Sequence, residues 1–262
     1  MSSAERNHDT LLEKVSNEFE SSSREWYWEG QFGDYLEILK KTPQVARTAF
    51  RRLYDTIMSY GVENYVENKE CLVHYNFFDD KENNGRDAVF GLDRPLMKLV
   101  DIFKSAAWGY GHERRVLLLH GPVGGAKSTI VRRLKNGLID YSKKEEGALY
   151  TYGWDKKVVE EDLEETEWEK SGFIDCPMHE EPLNLIPSFS RRRFIYELIG
   201  KEKTESGLVN LDGSLCPFCR FIFQKLLQDY NGQWLKVLNH INIRRLIISE
   251  EDRSRYHYRG IG

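Results

Sequence analysis

The stretch VLLLHGPVGGAKSTIVRRL, residues 116–134, decides the fold class. Its apolar opening, Val116 to His120 between turn signals, has the composition of a buried parallel strand. A glycine-rich turn follows, and then a helix is expected from Lys127 to about Tyr141. Strand, loop and helix in that order make a phosphate cradle: successive backbone amides and a helix N-terminus point at one anion. The fold class that follows is α/β, a P-loop nucleotide-binding domain.

The spacing assigns roles within the loop. Gly121, Gly124, Gly125 and Ala126 are expected to wrap phosphate, Lys127 to reach the β and γ phosphates, and Ser128 to ligate magnesium, with Thr129 supporting the phosphate end. Ala126 departs from the G-x-x-x-x-G-K-[ST] pattern by occupying its last glycine position. Its methyl is tolerated where the backbone stays helical and strained where a left-handed conformation is required. The competing reading, an accidental glycine-rich turn, leaves the flanking strand and helix unexplained.

Outward from the loop, helices are expected over Arg94–Ala107, from Pro43 to about Tyr60, over Leu11–Phe19, over Phe189–Ile199 and over 220–230. A further apolar segment carries Trp28, Phe32, Tyr35 and Leu39. Residues 70–92 suggest a strand or turn and then a loop. Strands are expected around Leu149–Tyr152 and at Leu246–Ile248. The run EEDLEETEWE, 160–169, has seven acidic residues in ten and reads as a solvated face.

Composition narrows the function. The 262 residues, 40% hydrophobic with 33 aromatic rings, can bury a full core. A net charge of −4 provides no global field for nucleic acid, and the basic clusters, Arg191–Arg193 and Arg244–Arg245 among them, are short. Simple surface exposure is expected for both. No apolar run is long enough to cross a bilayer, and the polar start is no signal peptide, so a cytoplasmic chain is expected.

The cysteines are unevenly placed. Cys176 and His179 form C-x-x-H, and Cys216 and Cys219 form C-x-x-C. These four are candidate ligands of a structural tetrahedral zinc ion; buried thiols and a redox pair at Cys216 and Cys219 are the alternatives. Cys71 stands apart as a core candidate.

Beyond GPVGGAKS, the segments ARTAFRRLYDTIMSYG (46–61), FFDD (77–80), FGLDRPL (90–96), CPMHEEPLNLIP (176–187), CPFCR (216–220) and RRLIISEEDR (244–253) resemble the PrkA family of bacterial proteins. Its members are described as serine protein kinases with an AAA-type ATPase region. The resemblance implies an AAA-like P-loop domain. A helical segment at 1–65 would precede an incomplete domain at 66–262 bearing a Cys/His-containing, candidate zinc insertion at about 160–232. It implies that the groups completing the ATPase centre, and a kinase-like region, lie beyond residue 262; Glu250 is then structural or peripheral. FGLDRPL resembles the box that borders adenine in AAA proteins, which carries Phe90, Gly91 and Leu92 forward as base-side candidates.

The expected function is ATP and magnesium binding by the N-terminal region of a PrkA-type serine protein kinase, driving an ATP-dependent conformational change. The intact protein would act on a protein substrate, and the AAA-like region would support a homo-oligomer; nucleic acid and membrane are not expected partners. The alternative is a regulatory nucleotide-binding module without independent hydrolysis or phosphoryl transfer, motivated by Ala126 and by the lack of an assigned acidic catalytic partner.

Overall fold

The computed structural model describes residues 27–159, 172–205, 209 and 211–248. The expected helix at 11–19, the acidic run at 160–169 and Glu250 lie outside the described residues. In chain order the elements are β1 (Glu29–Gly30), α1 (Phe32–Lys41), α2 (Ala49–Met58), β2 (Val62–Glu67), β3 (Glu70–Tyr75), α3 (Asp93–Ala107) and α4 (Lys127–Lys143). They continue with β4 (Tyr150–Asp155), α5 (Lys156–Val159), β5 (Phe173–Asp175), α6 (Ser188–Ile199), α7 (Lys201–Glu205), α8 (Pro217–Asp229), α9 (Trp234–Leu238) and β6 (Ile241–Arg245). The chain divides into two units. Among the described residues, one comprises 27–35, 150–159, 172–182 and 215–247; the other comprises 36–149, 183–205, 209, 211–214 and 248.

The first unit is built on a four-stranded sheet in the order β1-β6-β4-β5, every pair antiparallel. Aromatic and β-branched residues dominate its central strand, YTYGWD, and suit a pleated surface. Tyr152 and Trp154 are wholly buried, and Trp28 and Tyr35 pack their rings on Tyr150. Register brings Arg244 opposite Thr151, and its guanidinium pairs with both carboxylate oxygens of Asp175 at 2.8 and 2.6 Å. Arg244, expected to be simply solvated, is thus tied into the sheet. The strand expected at 246–248 falls a few residues earlier, at β6.

The second unit packs α2, α3 and α4 with the β2–β3 hairpin. Ile57, Phe77, Phe78, Leu96, Val100, Phe103 and Ile130 belong to its buried core. The hairpin turns through Asn68 and Lys69, both at positive φ (50° and 65°), the pattern of a tight type I′ connection. The helix expected over 43–60 is two pieces: a 3₁₀ turn at Pro43–Ala46, then α2, capped by the Thr48 hydroxyl, which accepts from Arg51 N at 3.2 Å. The break leaves Arg47 extended, and its guanidinium reaches Asp55 and the Glu146 carbonyl.

The buried parallel strand expected at 116–120 is not formed. These residues are unpaired coil, with Val116 and Leu118 exposed at 96% and 85%. An apolar run becomes a buried strand only when ladders form beside it and layers cover it, and no described strand hydrogen-bonds to this one. No described helix is long and apolar enough to cross a membrane.

Candidate functional site

The chain enters the glycine-rich loop at Gly121 and turns through Gly124, at φ 80°, where the Gly125 amide donates to the Pro122 carbonyl at 3.2 Å. A side chain at Gly125 would place its first carbon 3.1 Å from that carbonyl, a tight contact that the loop could relieve only by opening slightly. Ala126 follows in the left-handed region, at φ 53° and ψ 9°, and its carbonyl accepts the first bond of α4 from Ile130 N at 2.8 Å. The strained alternative for Ala126 is therefore the one realised. Its methyl packs against the core that contains Ile130, which offsets part of the strain.

Lys127, the first residue of the 17-residue α4, curls back over the loop. Its ammonium donates to the carbonyls of Gly121 at 2.9 Å and Pro122 at 2.5 Å. A cation and the first amides of a helix thus meet at one turn. Ser128 is exposed beside them and Thr129 half-buried.

The helix that carries this loop is held from behind. Arg133 donates through Nε to the Phe77 carbonyl at 2.8 Å, and Arg132 forks onto Asp87. That fork holds the Asp87 carboxyl below its ordinary pKa. Of the base-side candidates in this unit, Phe90 is 77% exposed and Gly91 sits at φ 68°. Leu92 packs on the core at the start of α3.

In the other unit three cysteines converge. Ligand atoms of Cys176, Glu180, Cys216 and Cys219 all lie within 4.8 Å of one another. His179, expected as the fourth ligand, is not in that group. It sits in the left-handed region (φ 48°), closing a turn in which its amide donates to the Cys176 carbonyl at 3.0 Å. That turn brings Glu180 into the cluster instead. Cys216 caps α8, its sulfur accepting from Cys219 N at 3.4 Å, with Pro217 opening the helix.

The sulfurs compete for charge. A hydrogen bond with Cys219 holds the Cys176 thiol below its usual pKa despite burial, with backbone donors at Glu180 and Met178 assisting. The same bond, and then burial, push Cys219 up; burial raises Cys216. Tyr152, raised by burial, stays a phenol and donates to Glu180 Oε2 at 2.9 Å. Cys71 is exposed, contrary to the core role expected of it. Glu180 is the member of the cluster that spacing missed; its only signal was its place directly after CPMH.

Arg191, expected on the surface, is buried. Its guanidinium donates to the backbone carbonyls of Asn184, Ile186, Leu211 and Gly213.

The family model of the PrkA AAA domain matches residues 30–256. The chain is 33% identical over 245 residues to the "ATP-dependent protease PrkA" of Bacillus subtilis (strain 168), covering 93% of this chain and 31% of that protein. It is 36% identical over 91 residues to an "Uncharacterized protein in gldA 5'region" of Geobacillus stearothermophilus, covering 35% of this chain and 81% of that one. No solved structure matches. The chain thus spans about a third of the Bacillus subtilis relative's length. With a match running from residue 30 to residue 256, the chain belongs to the PrkA AAA domain family.

Proposed function

We propose that residues 121–129 bind the β and γ phosphates of ATP together with a magnesium ion. The observation that carries this reading is the Lys127 ammonium, held between two loop carbonyls at the mouth of α4. Phosphate oxygens are ionised acceptors and form shorter, stronger bonds with an ammonium than a neutral carbonyl does. An arriving phosphate therefore draws Lys127 off Gly121 and Pro122, while the α4 amides supply further donors. Ser128 supplies a hydroxyl to magnesium, and Phe90, with its neighbours Gly91 and Leu92, offers the adenine an apolar edge.

Binding of this kind supplies energy for a conformational change, and the rest of the protein decides what that change drives. The family resemblance implies serine protein kinase activity, whereas the Bacillus subtilis relative is named an ATP-dependent protease. Both readings take a protein as substrate and an AAA region as the nucleotide-binding part. The left-handed Ala126 supports an alternative for this region, a regulatory module that binds nucleotide without turning it over by itself, because the loop is strained at the residue beside Lys127.

The test is calorimetric titration with ATP, ADP and AMP, each with and without magnesium. Tight binding of ATP and ADP, weak binding of AMP, and a magnesium dependence lost in Ser128→Ala are expected. Equal binding of all three nucleotides would sink the phosphate-loop reading. Following a γ-labelled phosphate to protein, to free phosphate or to neither then separates kinase, ATPase and regulatory module.

A further inference from the structure

We propose that Cys176, Glu180, Cys216 and Cys219 together hold one zinc ion, a structural site distinct from the nucleotide loop and independent of it. Sulfurs at about 2.3 Å from a tetrahedral zinc stand roughly 3.7 Å apart. Four donor atoms already gathered within 4.8 Å of one another match that spread. The three cysteines are buried and Glu180 is half-buried.

Polar hydrogens surround the sulfurs. Each sulfur accepts an N–H: Cys176 from Glu180 N at 3.5 Å, Cys216 from Cys219 N at 3.4 Å, and Cys219 from the Trp154 indole at 3.3 Å. The same three donors would remain in place to support sulfurs that lose their protons to a metal ion. Thiolate-rich donors in a four-membered set select zinc over magnesium or calcium, which take oxygen ligands.

Outer partners support the same assignment. The Tyr152 hydroxyl donates to Glu180 Oε2 at 2.9 Å and orients the carboxylate. All four positions come from the protein, which is the arrangement of a closed structural site. The ion would pin the turn after β5 and the start of α8 to β4, whose Tyr152 and Trp154 touch the ligands. Elements distant in sequence would thereby be held on one strand.

The full chain, purified under reducing conditions without added zinc or chelator, is tested by elemental analysis. About one zinc per chain is expected. Replacement of zinc by cobalt should give the visible bands of a tetrahedral ion and a near-ultraviolet thiolate charge-transfer band. Cys176→Ser, Cys216→Ser and Cys219→Ser should each abolish stoichiometric metal, and Glu180→Ala should weaken it at least as much as the roughly 10–100-fold expected for the outer-shell change Tyr152→Phe. His179→Ala should keep it. A wild-type chain that carries no zinc, takes up neither added zinc nor cobalt, and forms a Cys216–Cys219 disulfide would overturn the site. Loss of metal in His179→Ala with retention in Glu180→Ala would overturn the ligand set.

Discussion

Asp80 and Arg133 form an ion pair at 3.0 Å in which both side chains are buried, Arg133 at 1% exposure and Asp80 at 0%. The pair joins FFDD, residues 77–80, to the helix that starts at Lys127, so it fixes the helix that carries the glycine-rich loop on the core. Asp80 also accepts from Asp87 N at 2.9 Å and from the Asn83 amide at 3.0 Å. Arg133 lies over the rings of Phe77 and Tyr60.

Removing one partner of a buried pair strands the other charge, which costs about 3–5 kcal/mol. Asp80→Asn keeps an oxygen for the Asp87 amide and tolerates the left-handed backbone at φ 52°, so it isolates the charge. Urea unfolding of Asp80→Asn should show a loss in that range. The double variant Asp80→Asn with Arg133→Met should lose less than the two single losses combined. Additive losses would show that the pair is not coupled.

Gly137 lies where a methyl carbon would stand 2.4 Å from Phe77 Cε2, and Phe77 is fully buried. Helix propensity favours Gly137→Ala by about 1 kcal/mol. Overpacking against a fixed ring opposes it by about 1–3 kcal/mol. The variant should therefore unfold at a lower temperature than the wild type, against the propensity scale; a rise in midpoint would show that Phe77 moves freely.

At Ala126 two small effects oppose each other. A left-handed non-glycine residue is disfavoured by roughly 1–2 kcal/mol, and the methyl on the core returns about 0.8 kcal/mol. Ala126→Gly should change stability by less than about 1 kcal/mol while tightening nucleotide binding. Ala126→Val, with a branched carbon where φ is 53°, should weaken both. Nucleotide affinity unchanged across all three side chains would remove Ala126 from the account.

His74 is clamped between two carboxylates, Nδ1 to Asp93 and Nε2 to Asp79, each at 2.9 Å. Burial opposes the charged ring, but the two hydrogen bonds prevail and raise its pKa above the ordinary value of about 6.5. A raised folded-state pKa stabilises the protein fully below the unfolded pKa and loses that contribution as pH rises through the folded one. The difference in unfolding midpoint between wild type and His74→Gln should shrink as pH is raised from about 6 to about 9. A constant gap would mean that folding leaves the pKa of the ring unchanged.

The sequence was readable where the signal is local. The helix expected at Arg94–Ala107 is α3, and the one from Lys127 is α4, because apolar spacing and the loop glycines mark both. It misled where pairing decides. VLLLH has strand composition without a described neighbour to ladder with, while β2, mostly exposed and turned by Asn68-Lys69 rather than a glycine, carried no signal. The glycine-rich loop is contiguous and could be read off; the cysteine cluster is assembled from distant segments. Its spacing named the three cysteines, but only the turn at His179 brings in Glu180. Arg191 looked like a surface cation because a buried arginine bound to backbone carbonyls has no sequence signature.

Whether Lys127 and its loop bind nucleotide phosphate is read by titrating the chain with magnesium ATP beside Lys127→Ala. Two charge-assisted hydrogen bonds at about 1.5 kcal/mol each correspond to roughly 100-fold in affinity. Lys127→Ala should lose affinity of that order with its unfolding midpoint little changed; magnesium ATP affinity within a few-fold of wild type in that variant would remove the lysine from phosphate binding.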